Sequence, residues 1–271
     1  MKRRTAFPLP VLFLAPMALA ACSGLAGPGE SAALSQLRAR AEAGDAPSQY
    51  SMGLRHTNGQ GVSQDYAAGA GWFARAAEGG HPQSAYMLGI AYYAGRGVAQ
   101  DHSQAVEWFA RAAANGHPRA LYHLGDAYAN GRGVDKEPAW AARWFAKAAE
   151  RGHGEAAYAI GVSHAAGLGL KVDRIQAWKW LKLAENRGHK DAARVRNRVE
   201  DDMKPAEIAQ ALSLANGWQE TPGDDFADAP TVRFVQYALG ELGIDAGPVD
   251  GRAGPATAAA VAAYRTQAGL A

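Results

Sequence analysis

Between about residues 46 and 191, apolar side chains recur at helical spacing twice in every 36 residues, with short glycine-rich breaks between the runs. In the stretch from Ser84 to Arg119, Ala85, Leu88, Gly89 and Tyr92 stand at i, i+3, i+4 and i+7 and therefore share one face of a first helix. Ala105, Trp108, Phe109 and Ala112 repeat that spacing in a second helix. Between them Gly95-Arg96-Gly97-Val98 supplies glycines where the first helix ends and the backbone must turn. The pattern predicts a helical hairpin. It recurs four times, marked by Trp72, Trp108, Trp144 and Trp180 and by glycine series such as Gly53/Gly89/Gly125/Gly161 and Gly80/Gly116/Gly152/Gly188. A fixed period in this range marks stacked units, none of which can bury its apolar face alone. The expected architecture is an all-α solenoid of helix-turn-helix repeats over 31–216. Residues 31–45 form a preceding half-unit, because Gly44 aligns with Gly80. Capping helices over 192–216 follow, broken at Pro205.

Local chemistry supports the helix starts. Asp101 can cap the second helix, with Gln104 completing a capping-box pattern, and Asp65 and Asp173 stand in equivalent places. The third unit has Glu137 there, followed by Pro138 where a helix best tolerates proline. Gly53, Gly89, Gly125 and Gly161 lie inside first helices, where each costs about 1 kcal/mol against alanine. Close approach of the paired helix is the expected compensation. The four recurrent tryptophans are expected to be the main wedges between helices.

The two ends differ from this array. A basic start, an apolar run from Phe7 to about Ala18 and the small residues Leu19-Ala20-Ala21 precede Cys22, the only cysteine. The run, about a dozen residues with Pro8, Pro10 and Pro16 in it, is too short to span a bilayer. Without Lys2, Arg3 and Arg4, the remaining 25 basic residues face 26 acidic ones, a net charge of −1. A nearly neutral chain lacks the electrostatic footprint of nucleic-acid binding, so no nucleic-acid partner is expected. Residues 217–230 are polar and acidic with two prolines, which predicts a linker. Beyond it Val232, Val235, Leu239 and Leu242 keep helical spacing, a turn-rich stretch runs from Gly243 to Pro255, and a second helix covers about 256–268.

Three resemblances follow from these residues. Leu-Ala-Ala-Cys is similar to the lipobox of bacterial lipoproteins. That likeness implies a signal peptide over 1–21, lipidation of Cys22, a tether over 22–30 and, with Ser23 next to the cysteine, an outer-membrane lipoprotein facing the periplasm. Ala-x-x-Leu-Gly-x-x-Tyr, Gly-x-Gly-Val-x-x-Asp and Ala-x-x-Trp-Phe-x-x-Ala-Ala-x-x-Gly-His resemble the Sel-one-like subclass of tetratricopeptide-type repeats, over about 46–191. This implies a right-handed α-solenoid whose first helices line a concave face. Residues 231–271, with Asp250-Gly251-Arg252-Ala253-Gly254-Pro255-Ala256-Thr257, resemble a small helical peptidoglycan-binding-like module. Ala253 stands where an aromatic is usual, and the module is expected to be incomplete, ending before a third helix. If it contacts peptidoglycan, Asp250, Arg252, Thr257 and Tyr264 are the candidate residues.

The histidine ladder His81, His117, His153 and His189 invites a metal reading. Helical layers stand about 8–10 Å apart, however, whereas zinc ligands lie about 2 Å from the ion, so one ion cannot bridge them. A structural turn role is expected, with no metal and no cofactor. No nucleophile-elbow or phosphate-loop signature is present, and lipidation would occupy the only thiol, so no catalytic residues are assigned. Comparing the repeats separates positions held by architecture from those that vary. Tyr50, Tyr86, Tyr122 and Tyr158 stay aromatic, while Met87, Ile90, His123 and Asp126 occupy first-helix positions where residue type wanders. These eight are the candidate partner-binding surface, with interlayer packing the alternative for the tyrosines. Trp140 and Trp178, unmatched in other units, either anchor a partner or pack against the cap. The expected role is an envelope scaffold joining an unidentified protein, peptidoglycan and membrane. The alternatives are a regulator of a membrane sensor or polysaccharide export complex and, more remotely, a cell-wall-active or β-lactam-binding enzyme.

Overall fold

The computed structural model describes residues 31–220, and these form eleven α-helices with no strand among them. They are α1 (Ala32–Glu42), α2 (Ala46–Asn58), α3 (Tyr66–Glu78), α4 (Pro82–Ala94), α5 (His102–Ala114), α6 (Pro118–Asn130), α7 (Pro138–Glu150), α8 (Gly154–Ala166), α9 (Arg174–Asn186), α10 (Ala192–Glu200) and α11 (Pro205–Asn216). Four hairpins, α2/α3, α4/α5, α6/α7 and α8/α9, are stacked because each second helix also packs on the first helix of the next unit. Helix α1 covers α2 at one end, and α10 and α11 cover α9 at the other. The result is an α-solenoid.

The helix boundaries follow from short-range chemistry. Asp65 and Asp101 Oδ1 each accept two backbone N–H groups of the following turn, at 2.9 and 3.0 Å, and Asp173 accepts from Gln176 at 2.9 Å. The reciprocal half of the expected capping box is taken elsewhere. The Asp101 backbone N–H donates instead to the Tyr92 carbonyl at the end of the preceding helix, 3.0 Å away. Glu137 makes no side-chain cap, and Pro138 begins α7 where no N–H is needed.

The second glycine of each Gly-x-Gly turn does more than reverse the chain. Gly97 adopts φ +77°, and a Cβ there would run into the Tyr66 carbonyl at the start of α3. Gly133 and Gly169 repeat the arrangement against His102 and Pro138, so each interhelix loop sits on the previous unit's second helix.

The wedges between paired helices are not the tryptophans. They are the residues next to them. Phe73, Phe109 and Phe145 press on Gly53, Gly89 and Gly125, and Leu181 takes that place against Gly161. The helix-interior glycines are therefore explained by close approach, as expected, but the ring that approaches is phenylalanine. Trp72 and Trp108 stay half-buried beneath Arg75 and Arg111, whose guanidinium carbons lie 4.7 and 4.2 Å from the ring centroids. Trp144 and Trp180 are buried. Tryptophan and phenylalanine are adjacent, about 100° apart on the helix, and only one of them can face the glycine.

Trp178 packs against the cap. Its Nε1–H donates to Glu200 Oε2 at 2.8 Å, and Arg196 donates to both Glu200 (2.7 Å) and Glu185 (3.0 Å). Trp140 lies on α7, its ring centroid 6.3 Å from that of Tyr128, with the Arg143 guanidinium 5.1 Å from its own.

Candidate functional site: the first-helix face

The four first helices α2, α4, α6 and α8 carry the sequence-predicted surface, and its tyrosines and the histidine ladder turn out to be one structure. Tyr50, Tyr86, Tyr122 and Tyr158 each lie against the histidine that opens the following layer. The ring centroids are 5.1 Å apart to His81, 4.6 Å to His117, 4.8 Å to His153 and 3.9 Å to His189. The tyrosines are thus interlayer spacers as well as face residues. Tyr86 is buried, while Tyr50, Tyr122 and Tyr158 are half-buried and keep an edge open to solvent.

Three of the four histidines do a second job. The Nδ1 atoms of His81, His117 and His153 accept the backbone N–H of Ser84, Ala120 and Ala156, all at 3.2 Å, capping α4, α6 and α8. An acceptor at Nδ1 places the proton of the neutral ring on Nε2, and His117 Nε2 lies 2.7 Å from Gln83 Oε1 in the preceding layer. Burial holds the His81, His123 and His153 rings below their usual pKa. At His117 burial, reinforced by Arg119, pushes it down to about 4. His189 stacks on Tyr158, and its Nδ1 is buried without a hydrogen-bond partner. Among the described residues no three potential ligands converge in a way that could hold a metal ion. No helix there is long and apolar enough to cross a membrane.

The remaining candidates cluster around α4 and α6. His123 lies flat on Phe109, with centroids 4.8 Å apart and planes at 11°, and is ringed by Tyr86, Tyr93 and Tyr122. Met87 and Ile90 are half-buried, packed on the core with one side outward. Asp126 binds Arg132 Nη1 at 3.0 Å and Asn130 Nδ2 at 2.7 Å. Arg132 in turn donates to the Tyr93 hydroxyl. The sequence reading missed Tyr93 and Arg132, which join neighbouring units from 39 positions apart. Their signal is faint, since only the known 36-residue period brings such distant positions within one turn of each other. Exposed Arg119 completes the group. Together these residues give a mixed rim of aromatic edges, two guanidinium groups and a carboxylate, with apolar Met87 and Ile90 beside it. Such a surface can grip a peptide or protein by stacking and charge-assisted hydrogen bonds.

Cys22 and the tail candidates Asp250, Arg252, Thr257 and Tyr264 lie outside the described residues. From the segment expected to be a linker, Trp218 is half-buried against Trp180, so that stretch begins docked on the array.

The tail and the array both match known families. Residues 228–271 match the family described as "Putative peptidoglycan binding domain". Among solved structures, a protective antigen present in uropathogenic Escherichia coli strains and displaying an SLR fold is similar at 32% identity and a TM-score of 0.63. The similarity covers 69% of this chain and 40% of that one. A Sel1 repeat protein from Oxalobacter formigenes is similar at 28% identity and a TM-score of 0.58, covering 70% of this chain and 78% of that one. No curated protein sequence matches the chain. The profile of the Sel1 repeat fits residues 46–81, 82–117, 118–153 and 154–189, more than half of the sequence, and with the stacked hairpins and their glycine–aromatic wedges this places the chain in the Sel1 repeat family.

Proposed function

We propose that this protein is a non-enzymatic adaptor of the bacterial envelope. Lipidated Cys22 holds it to the periplasmic face of the outer membrane, the first-helix face docks another protein, and the C-terminal module contacts peptidoglycan. Sel1 repeats point to protein–protein interaction and the tail family to cell-wall contact. The observation that carries the reading is their union in one chain, with a mixed aromatic and charged rim on the array. A lipobox-like Leu-Ala-Ala-Cys before the array supports the membrane anchor.

The test separates the three contacts. The full chain should pellet with purified sacculi, and the chain truncated before residue 228 should stay in the supernatant. Cys22→Ser should move the protein from the membrane to the soluble fraction. A photocrosslinker at Ile90 should capture one protein in intact cells, and Arg132→Glu should abolish the capture. A full chain that ignores sacculi, or that releases muropeptides from them, refutes the reading.

A further inference from the structure

Gln83, Arg119 and Glu155 are the second residues of α4, α6 and α8, one period apart. Each precedes a ladder histidine of the next layer by 34 positions. Where Gln83 meets His117 the pairing is complete. His117 Nδ1 accepts the Ala120 N–H at 3.2 Å, which leaves the ring proton on Nε2, and Gln83 Oε1 stands 2.7 Å from that Nε2. One layer on, the histidine half is the same. His153 Nδ1 accepts the Ala156 N–H at 3.2 Å, and Glu155 Oε2, 3.6 Å from that atom, is too far away to compete for it, so Nε2 again carries the proton. The acceptor half is missing, because Arg119 takes the place of Gln83 and a guanidinium only donates.

Two donors without an acceptor therefore share the middle of the first-helix face. Among the described residues Arg119 makes no ion pair, Asp126 is engaged by Arg132 (3.0 Å) and Asn130 (2.7 Å), and Glu155 approaches His153 on its Nδ1 side. Burial is the main cause of the lowered pKa of His117, His123 and His153, and the Arg119 charge adds to it at all three, so the three rings lie within its field. The rings are held in place. Tyr122 stacks on His153 with centroids 4.8 Å apart, and His123 lies flat on Phe109. The His153 side chain is 13% exposed while Arg119 is exposed, so one donor is recessed and the other stands at the surface.

We propose that Arg119 and His153 form a carboxylate-binding site, which takes an aspartate or glutamate side chain of the protein docked on this face. This rests on the docking reading above and gives the partner its chemistry. One carboxylate oxygen accepts the His153 Nε2–H, and the other accepts from the guanidinium, whose charge it neutralises. Met87 and Ile90 of the preceding unit and the edge of Tyr122 offer apolar contact, which suits a peptide side chain better than a free ion. The equivalent positions of the other units hold Pro47, Gln83 and Glu155, none of which donates a charged hydrogen bond. The site is therefore single, and it fixes the register of the partner along the array.

Titration of the full chain, its histidines labelled with nitrogen-15, with N-acetylglutamate α-amide tests the site without the partner. The ring nitrogens of His153 should shift, and neither N-acetylglutamine amide nor inorganic phosphate at the same concentration should reproduce the shift. Arg119→Gln recreates the Gln83–His117 arrangement, so it should keep the fold and weaken the response about tenfold or more. The same substitution should reduce capture by a photocrosslinker at Ile90 in intact cells. A His153 shift that the glutamine amide or phosphate also produces, or one that survives Arg119→Gln, overturns the proposal. So does capture at Ile90 that is indifferent to Arg119→Gln, a result that leaves protein docking itself intact. A glutamate response with no protein captured at Ile90 upholds the carboxylate site and sinks the docking reading.

Discussion

Replacing Gly89 by alanine sets two well-characterised effects against each other. Gly89 lies in the middle of α4, where alanine is favoured over glycine by about 1 kcal/mol. A Cβ there would stand 2.6 Å from Phe109 Cδ1, 2.7 Å from Cε1 and 3.3 Å from the Ala105 carbonyl oxygen. Phe109 is 1% exposed, and His123 lies flat on its ring at 4.8 Å, so the ring cannot retreat without breaking that stack. Overpacking of this kind costs about 1–3 kcal/mol, and the involvement of backbone puts this case at the upper end. The expected net loss is about 1–2 kcal/mol, or about 2–8 °C in Tm for an array of this size. Gly71→Ala is the control. It lies within α3, is exposed, and nothing comes within 4 Å of its added Cβ. There only the helix preference acts, and stability should rise by about 0.5–1 kcal/mol. Phe109→Leu in the Gly89→Ala background should recover part of the loss, because the fourth unit already pairs Leu181 with Gly161. Thermal unfolding followed by far-UV circular dichroism gives the sign of each change. A Gly89→Ala protein as stable as Gly71→Ala would refute the claim that ring contact is why these glycines sit inside helices.

Two further expectations concern caps and protons. Glu137→Asp should stabilise the third unit by about 0.5–1 kcal/mol in urea unfolding, because aspartate supplies the N-cap acceptor that Glu137 does not; no change in midpoint would count against the capping argument. Acid should destabilise the array between about pH 6.5 and 4. The folded state holds His117 at a pKa of about 4, below its ordinary 6.5, so stability is full above 6.5 and is lost as protons bind the unfolded chain first. After discounting for the ring's partial exposure, His117 accounts for about 2 kcal/mol of this. Burial of His81, His123 and His153 adds in the same direction. His117→Asn keeps an N-cap acceptor but cannot titrate, so its stability profile should be flatter across that window.

The helices were legible in the sequence because what makes them is local. Spacings of i, i+3 and i+4, an aspartate before the first turn and a glycine after the last all act within a few residues. Reading the period then gave the stacking order, since one hairpin alone cannot cover its apolar face. The candidate face was only half legible. Variation among the repeats found Met87, Ile90, His123 and Asp126, but Tyr93 and Arg132 meet only when two layers are superposed.

Periodicity places both Trp108 and Phe109 on the apolar side without saying which ring meets the facing glycine. Helix separation decides that, and it chooses the phenylalanine. The tyrosine and histidine ladders looked separate in one dimension because the partners are 31 residues apart, and they become one stack only when each layer opens over the last. Composition assigned Trp218 to a linker, whereas the tertiary structure brings it against Trp180 and Arg187. The pattern written in the chain specifies what each residue can do within its own turn of helix. Which of two equally apolar rings is buried, and against what, depends on distances between helices, and those exist only once the units have packed.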